Sequence, residues 1–394
     1  MSTPAMSVDL VEHLADREII VVCGSGGVGK TTISAALGMA VAATQQKRVI
    51  VLTVDPARRL ATALGLRSIG TDPVTIDPAR LRRLGLRPRG ELVAAMLDMK
   101  STWDRMIERY APTRESARRI LANPFYKGIS NTFIGSQDYM AMEELYELHS
   151  GREYDCVIID TPPTRNALDF LEAPNRISDF VGGRLLMWLA RPSLIGWRAV
   201  NFAAAPFLRI ADRLLGSDVL EELAEFVREV QGLYSGVQER ARSVYRLLRS
   251  ADTGFVVVTT LEPQPFGEAE FFCTKLREYS MPLRAVVVNR VLPAALLDPA
   301  GVTAATTLME DRGVARWMGE QLGERITPDV PRHLGGAFLT LHRLAERNEK
   351  QVSRLSRLGQ VPVTRLPLAE RDISDLAALA QLAAWLQGKG LEAA

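Results

Sequence analysis

Glu18-Ile-Ile-Val-Val-Cys23 runs directly into Gly24-Ser-Gly-Gly-Val-Gly-Lys-Thr-Thr32, and the reading of this stretch decides the fold. The first part is a short apolar, mostly β-branched run of the kind buried on both faces of a parallel sheet. The second is a complete phosphate-binding loop, with Gly24, Gly29, Lys30 and Thr31 at the required spacing. Gly24, Gly26, Gly27 and Gly29 let the backbone amides of the loop, those of Ser25 and Val28 included, curl around an anion with no side chain in the way. Lys30 is placed to reach the β/γ-phosphates, the Thr31 hydroxyl to hold Mg²⁺, and Thr32 continues the same turn. Residues 31–45 read as a helix whose N-terminus points at the phosphates. An ordinary glycine turn does not also come with a strand before it and a helix after it. ATP and Mg²⁺ are therefore the expected ligands.

Similar apolar runs recur at 48–54, 154–160, 255–260, 285–289 and 363–366, with helical patterns at 265–279 and 372–386. Strands alternating with helices predict an α/β fold, a doubly wound and mostly parallel sheet with its ligand at the carboxyl ends of the strands. Two long segments, 90–151 and 175–250, interrupt the alternation. Leu92, Met96, Met99 and Trp103 recur at near-helical spacing in the first, and the second is also mostly helical in pattern. The expected organisation is one ATPase unit over 1–394. Its α/β core is formed by 18–90, 151–174 and 251–390, and a helical subdomain by 91–150 and 175–250. Residues 71–89, rich in Pro, Gly and Arg, read as loop.

Composition narrows the function classes. The chain has 394 residues, 47% hydrophobic and 24% charged, with a net charge of +2, so nothing global calls for nucleic acid. Cys23, Cys156 and Cys273 lie far apart in apolar or helical runs and read as buried, reduced thiols. No Cys-x-x-Cys and no ligand-spaced histidine pair occurs, which argues against zinc. No secretory signal and no apolar stretch of membrane-spanning length is seen, so a cytoplasmic location is expected.

Two aspartates end strand-like runs. Asp55, in Asp55-Pro-Ala-Arg-Arg-Leu60, is placed to orient or polarise an attacking water, although Asp before Pro-Ala is also a common helix start. Asp160, in Asp160-Thr-Pro-Pro-Thr-Arg-Asn166, follows Val157-Ile-Ile159 and is the expected acidic partner of Mg²⁺, through water.

Together these elements resemble the ArsA-type ATPases, which include the soluble subunit of arsenite pumps and the ATPase that guides tail-anchored membrane proteins. That family carries GKGGVGKTT, a deviant Walker A loop, with DPAHSL and DTAPTGHTLR. The resemblance implies that Glu262, in Thr259-Thr-Leu-Glu-Pro263, lies in a nucleotide-contacting loop. Asn289, in Val286-Val-Val-Asn-Arg290, would contact adenine, and Pro367, in Leu366-Pro-Leu368, would belong to a second adenine-side loop. It covers nearly the whole chain. More narrowly, 160–174 looks like the bacterial ArsA-like branch of anion-transporting ATPases. The resemblance implies a dimer, either of this chain with itself or with a related subunit.

Departures from the family pattern matter as much. The signature Lys, which in relatives crosses to the partner's phosphates, is Ser25 here. A non-identical partner with an intact Lys, an arginine of this chain (Arg58, Arg59 or Arg165), or slow hydrolysis are the three readings left open. Arg58 and Arg165-Asn166 stand where the family's switch residues stand. The zinc-binding and arsenite-binding cysteines of relatives are absent. Between Asp179 and Asp212 there is no acidic residue, and Arg184, Arg191, Arg198 and Arg209 are interleaved with apolar groups such as Trp188 and Trp197. Residues 179–212 suit a groove for a hydrophobic helix client, a membrane-surface contact, or a helical core. The expected function is a dimeric Mg²⁺-dependent ATPase that switches conformation, with hydrophobic membrane-protein segments as a client class. The alternatives are a nucleotide-binding regulatory subunit with weak hydrolysis and the soluble ATPase of an anion transporter.

Overall fold

In the computed structural model the described residues are 9–54, 59–66, 68–70, 72–130, 137–161, 225–226, 228–369 and 371–389. The strands are β1 (Ile19–Cys23), β2 (Arg48–Thr53), β3 (Val74–Thr75), β4 (Glu91–Met96), β5 (Cys156–Asp160), β6 (Thr253–Thr259), β7 (Leu283–Val291) and β8 (Val363–Pro367). Among the described residues they form one sheet in the order β3-β4-β2-β5-β1-β6-β7-β8. All neighbours run parallel except the short edge pair β3 and β4. The α/β, mostly parallel sheet read from the sequence is thus present.

Every residue of β1, β5 and β6 is buried, because helices cover both faces. The pleat sorts β1 between two cores: Ile19, Val21 and Cys23 point to one, Ile20 and Val22 to the other. Full burial of each Val or Ile contributes roughly 1.5–3 kcal/mol. The helices, in chain order, are α1 (Leu10–His13), α2 (Lys30–Thr44), α3 (Arg59–Ala63), α4 (Pro78–Arg83), α5 (Met99–Tyr110), α6 (Arg114–Ala122), α7 (Pro124–Ser130) and α8 (Gln137–Ser150). They continue with α9 (Tyr234–Leu248), α10 (Pro263–Glu278), α11 (Pro299–Glu310), α12 (Val314–Leu322), α13 (Asp329–Gly359) and α14 (Leu376–Leu386). Ile33 and Leu37 of α2 share the second core with Leu379 and Leu382 of α14. Met106 of α5, Ile120 of α6, Tyr139 of α8, Val237 of α9, Phe272 of α10 and Val352 of α13 share the first.

Two expectations about local structure are corrected. Residues 91–96, expected to begin a helical segment, are β4, paired with β2 from Arg48↔Glu91 to Thr53↔Met96. So short an apolar run is ambiguous by periodicity, and the open edge of β2 decides it. Residues 71–89 are not all loop: β3 lies here, and α4 follows with Asp77 accepting from the Ala79 amide at 2.8 Å. The stretch between β7 and β8, to which the sequence reading assigned nothing, holds α11, α12 and α13.

All three cysteines are buried free thiols, as read from the sequence. Burial pushes the Cys156 and Cys273 thiols up to about 12 and Cys23 well above its usual value. The thiolate is the reactive form. The native protein is therefore expected to leave all three thiols unmodified by Ellman's reagent, and the denatured protein to yield all three. Fast native labelling of any of them would contradict the packing of these strands and of α10.

Candidate functional site

The phosphate-binding loop leaves the carboxyl end of β1, between β5 and β6. Two of its glycines are required by geometry. Gly24 has φ +148°, and a Cβ there would lie 2.1 Å from the Val258 carbonyl oxygen of β6. Gly29 has φ +99°, and its Cβ would meet the Asn289 amide at 2.6 Å. Val28 is buried in the second core and pins the loop to it.

Gly29 is the N-cap of α2 and offers no side chain to the first turn, which carries no acidic residue either. By contrast α4, α5, α6, α11 and α14 begin with an Asp or Thr that accepts from a first-turn amide. The leading amides of α2 are thus left for an anion from outside the helix. Lys30 is buried, and its ammonium donates to the Gly24 and Ser25 carbonyls, each at 3.0 Å. This folds the positive charge back onto the loop. Ser25 is buried as well.

Asp160 closes the site from β5. It lies level with Thr53 in the β2–β5 ladder and with Val22 in the β1–β5 ladder. Its Oδ2 accepts from the Thr53 hydroxyl at 2.9 Å and from the Thr31 hydroxyl at 2.6 Å. The next residue, Thr161, donates its hydroxyl to the Val22 carbonyl at 3.0 Å, tying the end of β5 to β1. Among the described residues no group of three or more His, Cys, Asp or Glu side chains is arranged to hold a metal ion. A hydroxyl beside a single carboxylate suits a hard ion that takes its other ligands from phosphate and water, as Mg²⁺ does. Thr31 and Asp160 fit that role.

The end of β7 also reaches the loop. The Asn289 side chain of β7 donates to the Val28 carbonyl at 2.8 Å and accepts from the Arg290 amide at 2.9 Å. Asn289 therefore braces the loop. Just after β6, Glu262 stands at the N-cap position of α10 without a side-chain capping bond, and its carboxylate accepts from the Thr260 hydroxyl at 2.8 Å. Pro367, at the end of β8, pairs with Val291, two residues after Asn289 in β7.

A model of the anion-transporting ATPase family, ArsA, matches residues 17–312. The chain belongs to this family. Among its curated relatives, ATPase GET3 of Malassezia globosa is 25% identical over 269 residues, covering 68% of this chain and 71% of that protein. ATPase get3 of Schizosaccharomyces japonicus is 26% identical over 301 residues, covering 75% and 80%. Putative arsenical pump-driving ATPase 2 of Aquifex aeolicus is 23% identical over 275 residues, covering 68% and 79%. The family match spans the phosphate-binding loop, Asp160, Glu262 and Asn289 of this ArsA-type chain.

Lys30, Thr31 and Asp160 thus come together around one loop, with Asn289 against it. Asp55, Arg58, Arg165, Asn166 and all of 179–212 lie outside the described residues. Arg59 opens α3 and is exposed. Thr53 was not singled out in the sequence. The signal for it was a hydroxyl residue ending a buried strand, two positions before Asp55, but only the ladder register shows that it meets Asp160.

Proposed function

We propose that this ArsA-family chain is a Mg²⁺-dependent ATPase that works as a dimer and uses ATP binding and hydrolysis to switch conformation. The observation that carries the reading is the convergence of Lys30, Thr31 and Asp160, with the Thr31 hydroxyl and the Asp160 carboxylate 2.6 Å apart. In this reading the loop amides and Lys30 would bind the β- and γ-phosphates, and Thr31 and Asp160 would hold Mg²⁺, which would offset phosphate charge there. Asp55 orients the attacking water, and Glu262, Asn289 and Pro367 border the nucleoside. Closure around ATP shifts a two-state equilibrium by the difference in nucleotide affinity between the states. Residues 179–212 supply the output, clasping an apolar helical segment of a membrane protein.

Calorimetry with Mg²⁺ and ATP tests the site. Saturable binding is expected, and Lys30→Ala is expected to weaken it by roughly a hundredfold through loss of a charge-assisted contact with phosphate. No heat of association at millimolar ATP would defeat the reading. An apolar helical peptide whose affinity is the same with and without ATP would defeat the client assignment alone.

A further inference from the structure

Three ladder pairs of β2 and β5 follow one another toward the carboxyl ends of the strands: Val49↔Cys156, Val51↔Ile158 and Thr53↔Asp160. Alternation along a strand puts all three on the same face of the sheet. The first two pairs belong to the second core, under α2. Packing alone would continue this row with another valine, which has the shape of threonine. Thr53 instead brings a hydroxyl into a strand flanked by β4 and β5, where the residue is 2% exposed. Burying a hydroxyl costs free energy unless it is hydrogen-bonded. Here it donates to Asp160 Oδ2 at 2.9 Å.

We infer that Thr53 is a positioning residue of the site: its hydroxyl fixes the orientation of the Asp160 carboxylate from the sheet, independently of the phosphate-binding loop. The inference rests on the reading of Asp160 as a holder of Mg²⁺. The torsion that turns an aspartate carboxylate is broad and soft, so hydrogen bonds decide where its oxygens point. Two such bonds meet at Oδ2 and come from different parts of the molecule. Thr31 stands in the first turn of α2, directly after the loop, and donates to Oδ2 at 2.6 Å. It moves with the loop, and its oxygen is the one expected to turn to the ion. Thr53 belongs to the frame. Its carbonyl accepts from the Leu97 amide at 2.9 Å, and the amide of Val54 donates to the Asp160 carbonyl at 3.4 Å, so the ends of β4, β2 and β5 are tied at one level. A donor anchored in this way keeps Oδ2 in place while the loop adjusts to nucleotide. Partners that orient a metal-binding carboxylate typically change metal affinity by about ten- to a hundredfold when removed.

Thr53→Val keeps the shape and removes the donor. In the full chain with ADP, and with Mn²⁺ as the probe ion followed by electron paramagnetic resonance, this variant is expected to bind the ion about tenfold more weakly than the parent. ADP binding without a divalent ion is expected to stay the same. Thr53→Ser restores the hydroxyl and is expected to recover most of the lost Mn²⁺ affinity. A threonine that served packing alone would give the reverse order, because serine leaves a gap in the apolar row and valine does not. Thr53→Ala beside Thr53→Ser repeats the comparison with two smaller side chains that differ only by the hydroxyl, so the test does not depend on the folding of the valine variant. Mn²⁺ affinity in Thr53→Val equal to that of the parent, or equal affinities in Thr53→Ser and Thr53→Ala, overturns the inference and leaves the ATP site standing. A parent chain that binds neither Mn²⁺·ADP nor Mg²⁺·ATP overturns the proposed activity, and this inference with it.

Discussion

Asp160→Asn is expected to cut Mg²⁺-dependent ATP turnover by on the order of a hundredfold or more, while leaving the fold in place. The side chain is buried at the end of β5, and its Oδ2 takes hydrogen bonds from Thr31 and Thr53. The amide has the same shape and keeps an oxygen that can accept from one of those hydroxyls, so the strand end need not move. It loses the negative charge. Mg²⁺ held by this carboxylate would supply several kcal/mol of charge stabilisation, and each 1.36 kcal/mol is a factor of ten in rate. The loss should therefore appear in the Mg²⁺ dependence. Saturating turnover should need more Mg²⁺, while ATP binding measured without the ion should change little. Thr31→Ala should show the same pattern more weakly, because it removes a neutral ligand and frees the carboxylate. Unchanged turnover and unchanged Mg²⁺ dependence in Asp160→Asn would remove this carboxylate from the site and with it the observation on which the proposed activity rests.

What the sequence made legible was mostly local. The phosphate-binding loop could be read because the strand, the glycines, the lysine and the helix lie within one short stretch, and each is needed for a reason visible in the residue itself. The buried strands were legible because parallel strands covered on both faces are continuous apolar runs. Glu91–Met96 was not, since a run that short fits a helix or a strand, and its partner β2 lies far away in sequence. The helices between β7 and β8 were missed for another reason. On α13 the apolar residues recur at three- or four-residue steps from Val330 to Leu344 and again at Val352 and Leu355, so the helical pattern was present in the sequence but not read. The resemblance implies that Asn289 contacts adenine; what the sequence does not show is that its amide also donates to the Val28 carbonyl at 2.8 Å. That contact joins residues far apart in the chain, and only the sheet order brings β7 near enough to β1 to make it.

Removing one side of the buried pair Glu143–Arg240 is expected to cost more stability than removing both. Arg240 of α9 donates its Nε to both oxygens of Glu143 on α8 at 3.0 Å, and its Nη2 lies 2.9 Å from Oε1. The same guanidinium pairs with Glu147 and stacks 3.7 Å over the Tyr146 ring. Both partners are buried, and burial raises the Glu143 carboxyl above its usual range despite the arginine. Arg240→Met fills similar space but leaves an uncompensated buried carboxylate, for which about 3–5 kcal/mol is the usual cost. Glu143→Leu with Arg240→Met removes both charges and should recover most of that loss, because a buried pair seldom stabilises more than a packed apolar one. The pH response carries the sign. A carboxyl whose folded pKa lies above its unfolded value favours the folded state below the unfolded pKa, and that contribution is lost as pH rises through the folded pKa. Without its arginine Glu143 is raised further, so Arg240→Met should gain urea resistance relative to the parent as pH falls from about 8 to about 5, and the double variant should not. Equal destabilisation of single and double variants, with parallel pH profiles, would mean that α8 and α9 are held by apolar packing alone. The two helices belong to segments on either side of Asp160 in the chain, and this pair, with Arg119–Glu229 and the stacked Phe125 and Phe226, ties one segment to the other.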